Sequence, residues 1–208
     1  MAVSSQLDFL TETEQVALPA AIPGLAYLPD YIDQQQEAEL IHAIKAQPWI
    51  ADLKRRVQHY GYRYDYKARY VTSESYLGPL PEWVSPYCNQ LRINGFFPQL
   101  PDQVIVNEYE PGQGIAPHID CVPCFTDTIA SLSLNSSCIM QFLHIKTQQK
   151  IHMLLEPRSL VVLSGDARYQ WQHSIPPRKS DRYKGEVLQR KRRLSLTFRK
   201  MALDMERI

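Results

Sequence analysis

The chain has 208 residues, with 23 Lys or Arg against 22 Asp or Glu, a sequence pI near 7.7 and 44% hydrophobic residues. A chain of this size folds most simply as one domain that buries roughly 70% of the surface its unfolded form exposes, without a metal or disulfide staple. Near-neutral net charge excludes a polyanion binder that works by bulk electrostatics, and no stretch approaches the ~18 apolar residues of a membrane-spanning helix.

Residues 1–24 are polar and then Ala/Pro-rich, which predicts a loosely attached arm ahead of a single domain over 25–208. Asp8, Glu12 and Glu14 stand where a secretory signal would be basic, so a soluble, cytoplasmic protein is expected. Leu25–Leu28 reads as a first strand. Asp33 then reads as an N-cap, and Glu37, Leu40, Ile41 and Ile44 recur at helical spacing until Pro48. From Asp52 to Tyr70, six cations (Lys54, Arg55, Arg56, Arg63, Lys67, Arg69) interleave with five tyrosines. Cations for phosphates and flat rings for bases suit a nucleic-acid surface; a pair of strands with packed tyrosines is the structural alternative. Trp83 to Ile93 predicts a second helix that stops at Asn94-Gly95.

Val104-Ile105-Val106 begins a strand that breaks at Pro111, Gly112 and Gly114. Pro117 keeps the backbone extended, so His118 and Asp120, two residues apart, aim an imidazole and a carboxylate at one point. Short apolar runs follow at Ile129–Leu134, Ile139–Leu143, Ile151–Leu155, Leu160–Leu163 and Leu194–Phe198. With helices confined to the first half, this predicts a mainly β, α+β fold, a sandwich or jelly roll with N-terminal helices packed outside. Cys121-Val122-Pro123-Cys124 reads as a redox pair, half a zinc site, or simply small loop cysteines, and four cysteines are too few for a disulfide framework. His59, His144 and His152 read as structural or surface residues. The segment from Arg178 to Lys200 holds ten Lys or Arg against Asp181 and Glu186, enough to face phosphates or to be a solvated loop.

His173 completes a set of two histidines and one carboxylate with His118 and Asp120. Such a triad leaves three positions open on Fe(II), which suits a bidentate cosubstrate and O2. The last strand alternates: Arg193, Ser195, Thr197 and Arg199 share one face, Leu194, Leu196 and Phe198 the other. That pattern fits an amphipathic strand facing water. It equally fits a strand lining a cavity, where an arginine is the bidentate partner of a buried carboxylate and Asn107 and Tyr109 donate to the same ligand.

Asn107/Tyr109, His118/Asp120, His173 and Arg193/Arg199, in this order, resemble the pattern of the AlkB family of Fe(II)/2-oxoglutarate dioxygenases, from about Leu25 to Met201. The resemblance implies a double-stranded β-helix core, Fe(II) held by His118, Asp120 and His173, and O2 and 2-oxoglutarate as cosubstrates. It implies 2-oxoglutarate contacts from Arg193, Asn107, Tyr109, Ser195 and Arg199, and a nucleotide-binding lid that includes Arg55, Arg56, Tyr60 and Tyr62. Within the family, Arg55–Tyr62, Ser131–Ser136, Gly165–Ile175, Pro177–Lys179 and Leu196–Lys200 resemble the AlkB domain of the tRNA wobble-uridine hydroxylase homologue. The expected reaction is oxidation of a C–H bond on a modified or alkylated nucleotide, leaning to RNA and tRNA. AlkB-like DNA repair and a protein side chain are the alternatives. That homologue also carries an RNA-recognition module and a methyltransferase domain without a counterpart in these residues, which weakens transfer of its particular substrate and leaves open whether a separate methyltransferase partner prepares the substrate. The DNA-repair members carry an acidic residue two positions after the metal Asp. Val122 stands there in this chain, which makes reversal of simple base methylation the less expected outcome.

Overall fold

The structure, a computed structural model, describes residues 22–202 except 52, 53, 67 and 69. Most of the expected arm, and Lys67 and Arg69, therefore lie outside the described residues. β1 (Leu25–Leu28) leads into α1 (Gln34–Lys45). Asp33 caps that helix reciprocally: Asp33 Oδ1 accepts from the Gln36 N–H at 2.8 Å, and the Asp33 N–H donates to Gln36 Oε1 at 2.9 Å. After β2 (Arg56–Tyr60), α2 (Ser85–Ile93) starts with Pro in its first turn, where a missing N–H costs nothing. No helix among the described residues is long and apolar enough to cross a membrane.

The strands that follow are β3 (Gln103–Tyr109), β4 (Ile115–His118), β5 (Phe125–Leu134), β6 (Cys138–His144), β7 (Lys150–Leu155) and β8 (Leu160–Leu163). A short helix α3 (Gly165–Tyr169) precedes β9 (Trp171–Ile175), a hairpin β10 (Ser180–Tyr183) and β11 (Glu186–Gln189), and β12 (Arg193–Met201). One sheet has the order β1-β8-β5-β12-β3-β2 and the other β4-β9-β6-β7, with every pairing antiparallel. The jelly roll expected from the strand spacing is the fold adopted. The hairpin β10–β11, β9 and α3 were not among the expected elements, because their residues are mixed polar and apolar and carry no clear period.

Strand alternation divides the interior in two. On β12, Leu194, Leu196 and Phe198 join Val104 and Val106 of β3 and Ala130, Leu132 and Leu134 of β5. That face packs against Leu40 and Ile44 of α1 and Tyr87 and Leu91 of α2. Leu196 is fully buried there, and truncating it to Ala costs about 2–5 kcal/mol. The opposite face meets the second sheet through Phe125, Ile129, Met140, Phe142 and Trp171. This apolar filling is incomplete, and the unfilled part is the site.

Candidate active site

β12 is buried on both faces, because the helices cover one face and the second sheet lies over the other, while β3 and β5 occupy its edges. Its polar residues Arg193, Ser195, Thr197 and Arg199 consequently face a cavity of about 710 Å³ between the sheets instead of water. Register supplies their companions: Ser195 lies opposite Asn107 on β3 and Ser133 on β5, and Arg193 lies opposite Tyr109. Asn107 and Tyr109 line the same cavity, and burial raises the Tyr109 hydroxyl above its ordinary pKa.

The second sheet closes the cavity with the histidines. β4 and β9 pair so that His118 lies directly opposite His173, their ring centroids 4.3 Å apart. Gly114 permits this approach, since a Cβ there would collide with the Ile175 carbonyl. One ligand atom from each of His118, Asp120 and His173 falls within 4.8 Å of the others. His118 Nδ1 lies 2.8 Å from the Ala116 carbonyl, which only accepts, so Nδ1 carries the hydrogen and the neutral ring offers Nε2. His173 Nε2 lies 3.7 Å from Asp120 Oδ2. Burial, then the neighbouring His118, pushes His173 down to about 3 against the pull of Asp120, which leaves a neutral imidazole suited to ligation.

Asp120 is held by two arginines. Burial by itself would raise its pKa, but Arg199, then His173, His118 and Arg168, reverse the sign and keep it below the usual carboxylate range. Arg199 Nη2 donates to Oδ1 at 2.7 Å, which leaves Oδ2 on the histidine side. Arg168, only 2% exposed, reaches the backbone instead: Nη1 donates to the Asp120 carbonyl at 2.9 Å and Nη2 to that of Cys121 at 3.1 Å. The donor set therefore fits a divalent metal that takes imidazole nitrogen and carboxylate oxygen, with the outer partners already placed. Arg168 escaped the sequence reading. An arginine on a one-turn helix carries no signal of burial, although it lies within the Gly165–Ile175 segment that bore the resemblance.

Arg193 is the polar residue with the least internal explanation. It is 3% exposed; Nη2 donates to Ser133 Oγ at 2.7 Å, while Nε and Nη1 have no partner among the described residues. No carboxylate of the described residues lies within 4.0 Å of it. A buried guanidinium with two unmatched donors aimed into a cavity fits a carboxylate ligand such as the distal end of 2-oxoglutarate.

The Tyr-rich segment is divided by the register of β2 against β3. Arg56 pairs with Glu108, and Tyr60 lies opposite Val104, both on the face turned to the helices. Arg56 Nε meets Glu108 Oε2 at 2.6 Å, Tyr60 packs edge-on to Trp83, and Tyr62 packs against Tyr76. None of these three lines the cavity, whereas Lys54, Arg55, Tyr64 and Tyr66 do. Arg55 Nε donates to Asn107 Oδ1 at 2.9 Å. The lid residues expected from sequence thus come to the cavity only through Arg55, because β2 ends at Tyr60 and the chain turns at Gly61 (φ +76°), so the later tyrosines do not continue its alternation.

Cys121 and Cys124 form a disulfide across the turn that follows Asp120, with Cα atoms 5.3 Å apart. They are paired with each other, not loop thiols, while Cys88 and Cys138 are buried and free. Of the remaining histidines, His59 is largely buried, and His144 Nδ1 accepts from the Thr147 N–H at 3.0 Å.

A family model described as the 2OG-Fe(II) oxygenase superfamily matches residues 24–199. The chain is 41% identical over 203 residues to the alkylated DNA repair protein ALKBH8 homolog of Arabidopsis thaliana, covering 86% of this chain and 59% of that protein. It is 35% identical over 224 residues to the tRNA (carboxymethyluridine(34)-5-O)-methyltransferase ALKBH8 of Mus musculus, covering 94% of this chain and 33% of that one. It thus spans less than two thirds of either relative. The solved structure of OsALKBH1 is similar in fold, with a TM-score of 0.61 at 18% identity over 86% of this chain and 97% of that chain.

Proposed function

Because this chain belongs to the AlkB family within the 2OG-Fe(II) oxygenase superfamily, and is accordingly an Fe(II)- and 2-oxoglutarate-dependent dioxygenase, we propose that it oxidises a C–H bond on a modified nucleotide of RNA, with tRNA the favoured polymer. The observation that carries this reading is the composition of the cavity. Metal donors line it together with two tyrosines, Tyr64 and Tyr66, and two cations, Lys54 and Arg55. Rings that stack on a base and cations that meet its phosphate are the two elements of single-strand recognition. Similarity to the tRNA-modifying relative supports RNA over DNA. So does Val122, 50% exposed where the DNA-repair members carry an acid.

In this reading His118 Nε2, Asp120 Oδ2 and a nitrogen of His173 hold Fe(II). Arg193, whose Nε and Nη1 have no partner among the described residues, receives the distal carboxylate of 2-oxoglutarate on its guanidinium, while Ser133 holds Nη2. Ser195, Asn107 and Tyr109 complete that end of the cavity. Arg199 orients Asp120 so that one carboxylate oxygen stays free for the metal. When bound, Fe(II) with 2-oxoglutarate and O2 supplies the oxidising power that replaces a substrate C–H by C–OH, the cosubstrate leaving as succinate and CO2. A hydroxyl placed on carbon stays. One placed on an N-methyl group gives an N-hydroxymethyl group, whose N–C bond breaks to release formaldehyde while the hydroxyl proton returns to nitrogen, giving the demethylated base.

Mass spectrometry of nucleosides from total tRNA tests the proposal, comparing a strain without the protein, its parent, and a complement carrying His118→Ala. Loss of one hydroxylated uridine that the variant does not restore is the expected result. Unchanged tRNA nucleosides would overturn the tRNA assignment and direct the search to DNA or protein substrates.

A further inference from the structure

The basic segment from Arg178 to Lys200 divides cleanly in the folded chain. Arg190 is bound to Asp181, Arg192 to Glu108, Arg199 to Asp120 and Lys200 to Asp102, while Arg193 points into the cavity. Arg178, Lys179, Arg182, Lys184 and Lys191 remain exposed, with no carboxylate of the described residues within 4.0 Å. Four of the ten cations are therefore held by carboxylates, one faces the cavity, and five are exposed without a carboxylate beside them among the described residues.

The unpaired half adjoins the cavity mouth through one turn. The Gly112 N–H donates to the Arg178 carbonyl at 2.9 Å, and Gly112, with φ +91°, leaves the Lys179 stem running alongside it. On the other side of that turn, Gln113 Nε2 donates to the Lys54 carbonyl at 2.6 Å, and Lys54 is a cavity-lining residue. Lys191 shares a small cleft with Gln113 and Glu110. The base of the segment is rigid: Arg190 donates to both oxygens of Asp181 and, through Nη1, to the Pro176 carbonyl at 2.7 Å. Asp181 Oδ2 also accepts from the Ile139 N–H at 3.1 Å. A buried, doubly bonded ion pair thus anchors the hairpin that directly follows Arg178 and Lys179.

We propose that Lys54, the turn Pro111–Gly114 and Arg178-Lys179 form a phosphate-binding rim along which the backbone of a single-stranded RNA segment lies while one base enters the cavity. This rests on the nucleotide-oxidising reading and adds where the flanking phosphates are held. Cations on both sides of one turn at the mouth of an aromatic-lined cavity match a chain of phosphates that continues past the inserted base. Glu110 is the acid beside this rim, exposed and adjacent to Gln113, and it sets the sign of a second test.

The experiment is a salt titration of binding, read by anisotropy of a short labelled RNA stem-loop with an unpaired loop. It compares the wild-type protein with Arg178→Glu/Lys179→Glu and with Glu110→Lys, each first checked for an unchanged Tm. The expected result is weaker RNA binding by the double variant, roughly 10-fold or more at low salt, with the slope of log K against log salt reduced by about 0.7 per lost contact. Tighter binding by Glu110→Lys is expected alongside. Salt-dependent binding by wild type that neither variant alters would overturn the rim and leave the nucleic-acid reading standing. Absence of salt-dependent binding of RNA or DNA by wild type would overturn that reading and the rim together.

Discussion

Arg199 Nη2 lies 2.7 Å from Asp120 Oδ1, and this contact divides the carboxylate into one oxygen held by the protein and one turned toward His173. Both residues are nearly buried, so each is the other's principal compensation for leaving water. Arg199→Met strands Asp120. The expected result is a destabilisation of the metal-free protein by about 3–5 kcal/mol, measured by urea denaturation in the presence of a chelator.

Arg193→Met should behave in the opposite way. Its guanidinium is buried without a carboxylate, so the cosubstrate-free variant is expected to be at least as stable as wild type. Affinity for 2-oxoglutarate should fall by about 100-fold or more, as stranding a buried carboxylate costs ~3–5 kcal/mol. Calorimetric titration with 2-oxoglutarate and a redox-inert divalent metal reads this directly. Unaltered affinity would remove Arg193 from the cosubstrate site.

Arg168 holds the backbone of the metal-bearing loop, not a side chain. Arg168→Met should lower affinity for Co²⁺, followed through its visible absorption, by about 10–100-fold. Arg168→Lys, able to reach one carbonyl, should fall between. Equal metal affinity in all three proteins would show that the loop holds its shape without this residue.

His59 gives the protein a predictable acid sensitivity. Burial, followed by Arg63, Arg199 and Arg55, pushes it down to about 4, and its Nδ1 accepts from the Tyr64 N–H at 3.4 Å. Between pH 6.5 and about 4 the unfolded chain binds a proton at this histidine that the folded chain does not. Stability from this group is therefore present above pH 6.5, is lost as pH falls to about 4, and changes no further below it. The full loss is about 3 kcal/mol by linkage. His59→Gln should lose correspondingly less stability than wild type between pH 7 and 4.5 in urea denaturation. Parallel stability curves would refute the shift.

Much of the architecture was legible from local pattern. Leu25–Leu28, the Asp33 cap and Leu160–Leu163 form the elements their residues predict, because caps and short apolar runs act within a few residues. The His118-x-Asp120 spacing and the alternation of Arg193 to Arg199 were equally visible. Tyr64 and Tyr66 were not distinguishable from Tyr60 and Tyr62, since all four repeat at two-residue intervals and the end of β2 at Tyr60, with the turn at Gly61, is decided by where pairing with β3 stops. The split of the basic segment into bound and unpaired cations was hidden for the same reason, as the partners Glu108, Asp120 and Asp102 come from distant strands and loops.

By itself the sequence determined the chemical inventory: two histidines and a carboxylate, two arginines on one face of a strand, and rings interleaved with cations. Tertiary structure decided what that inventory does. The second sheet, lying over the polar face of β12, turned an amphipathic strand into a cavity wall, and the β4–β9 register set His118 against His173. Side-chain identity is a local property of the chain, whereas the absence of water around Arg193 and the convergence of three ligands are properties of strands brought together from far apart.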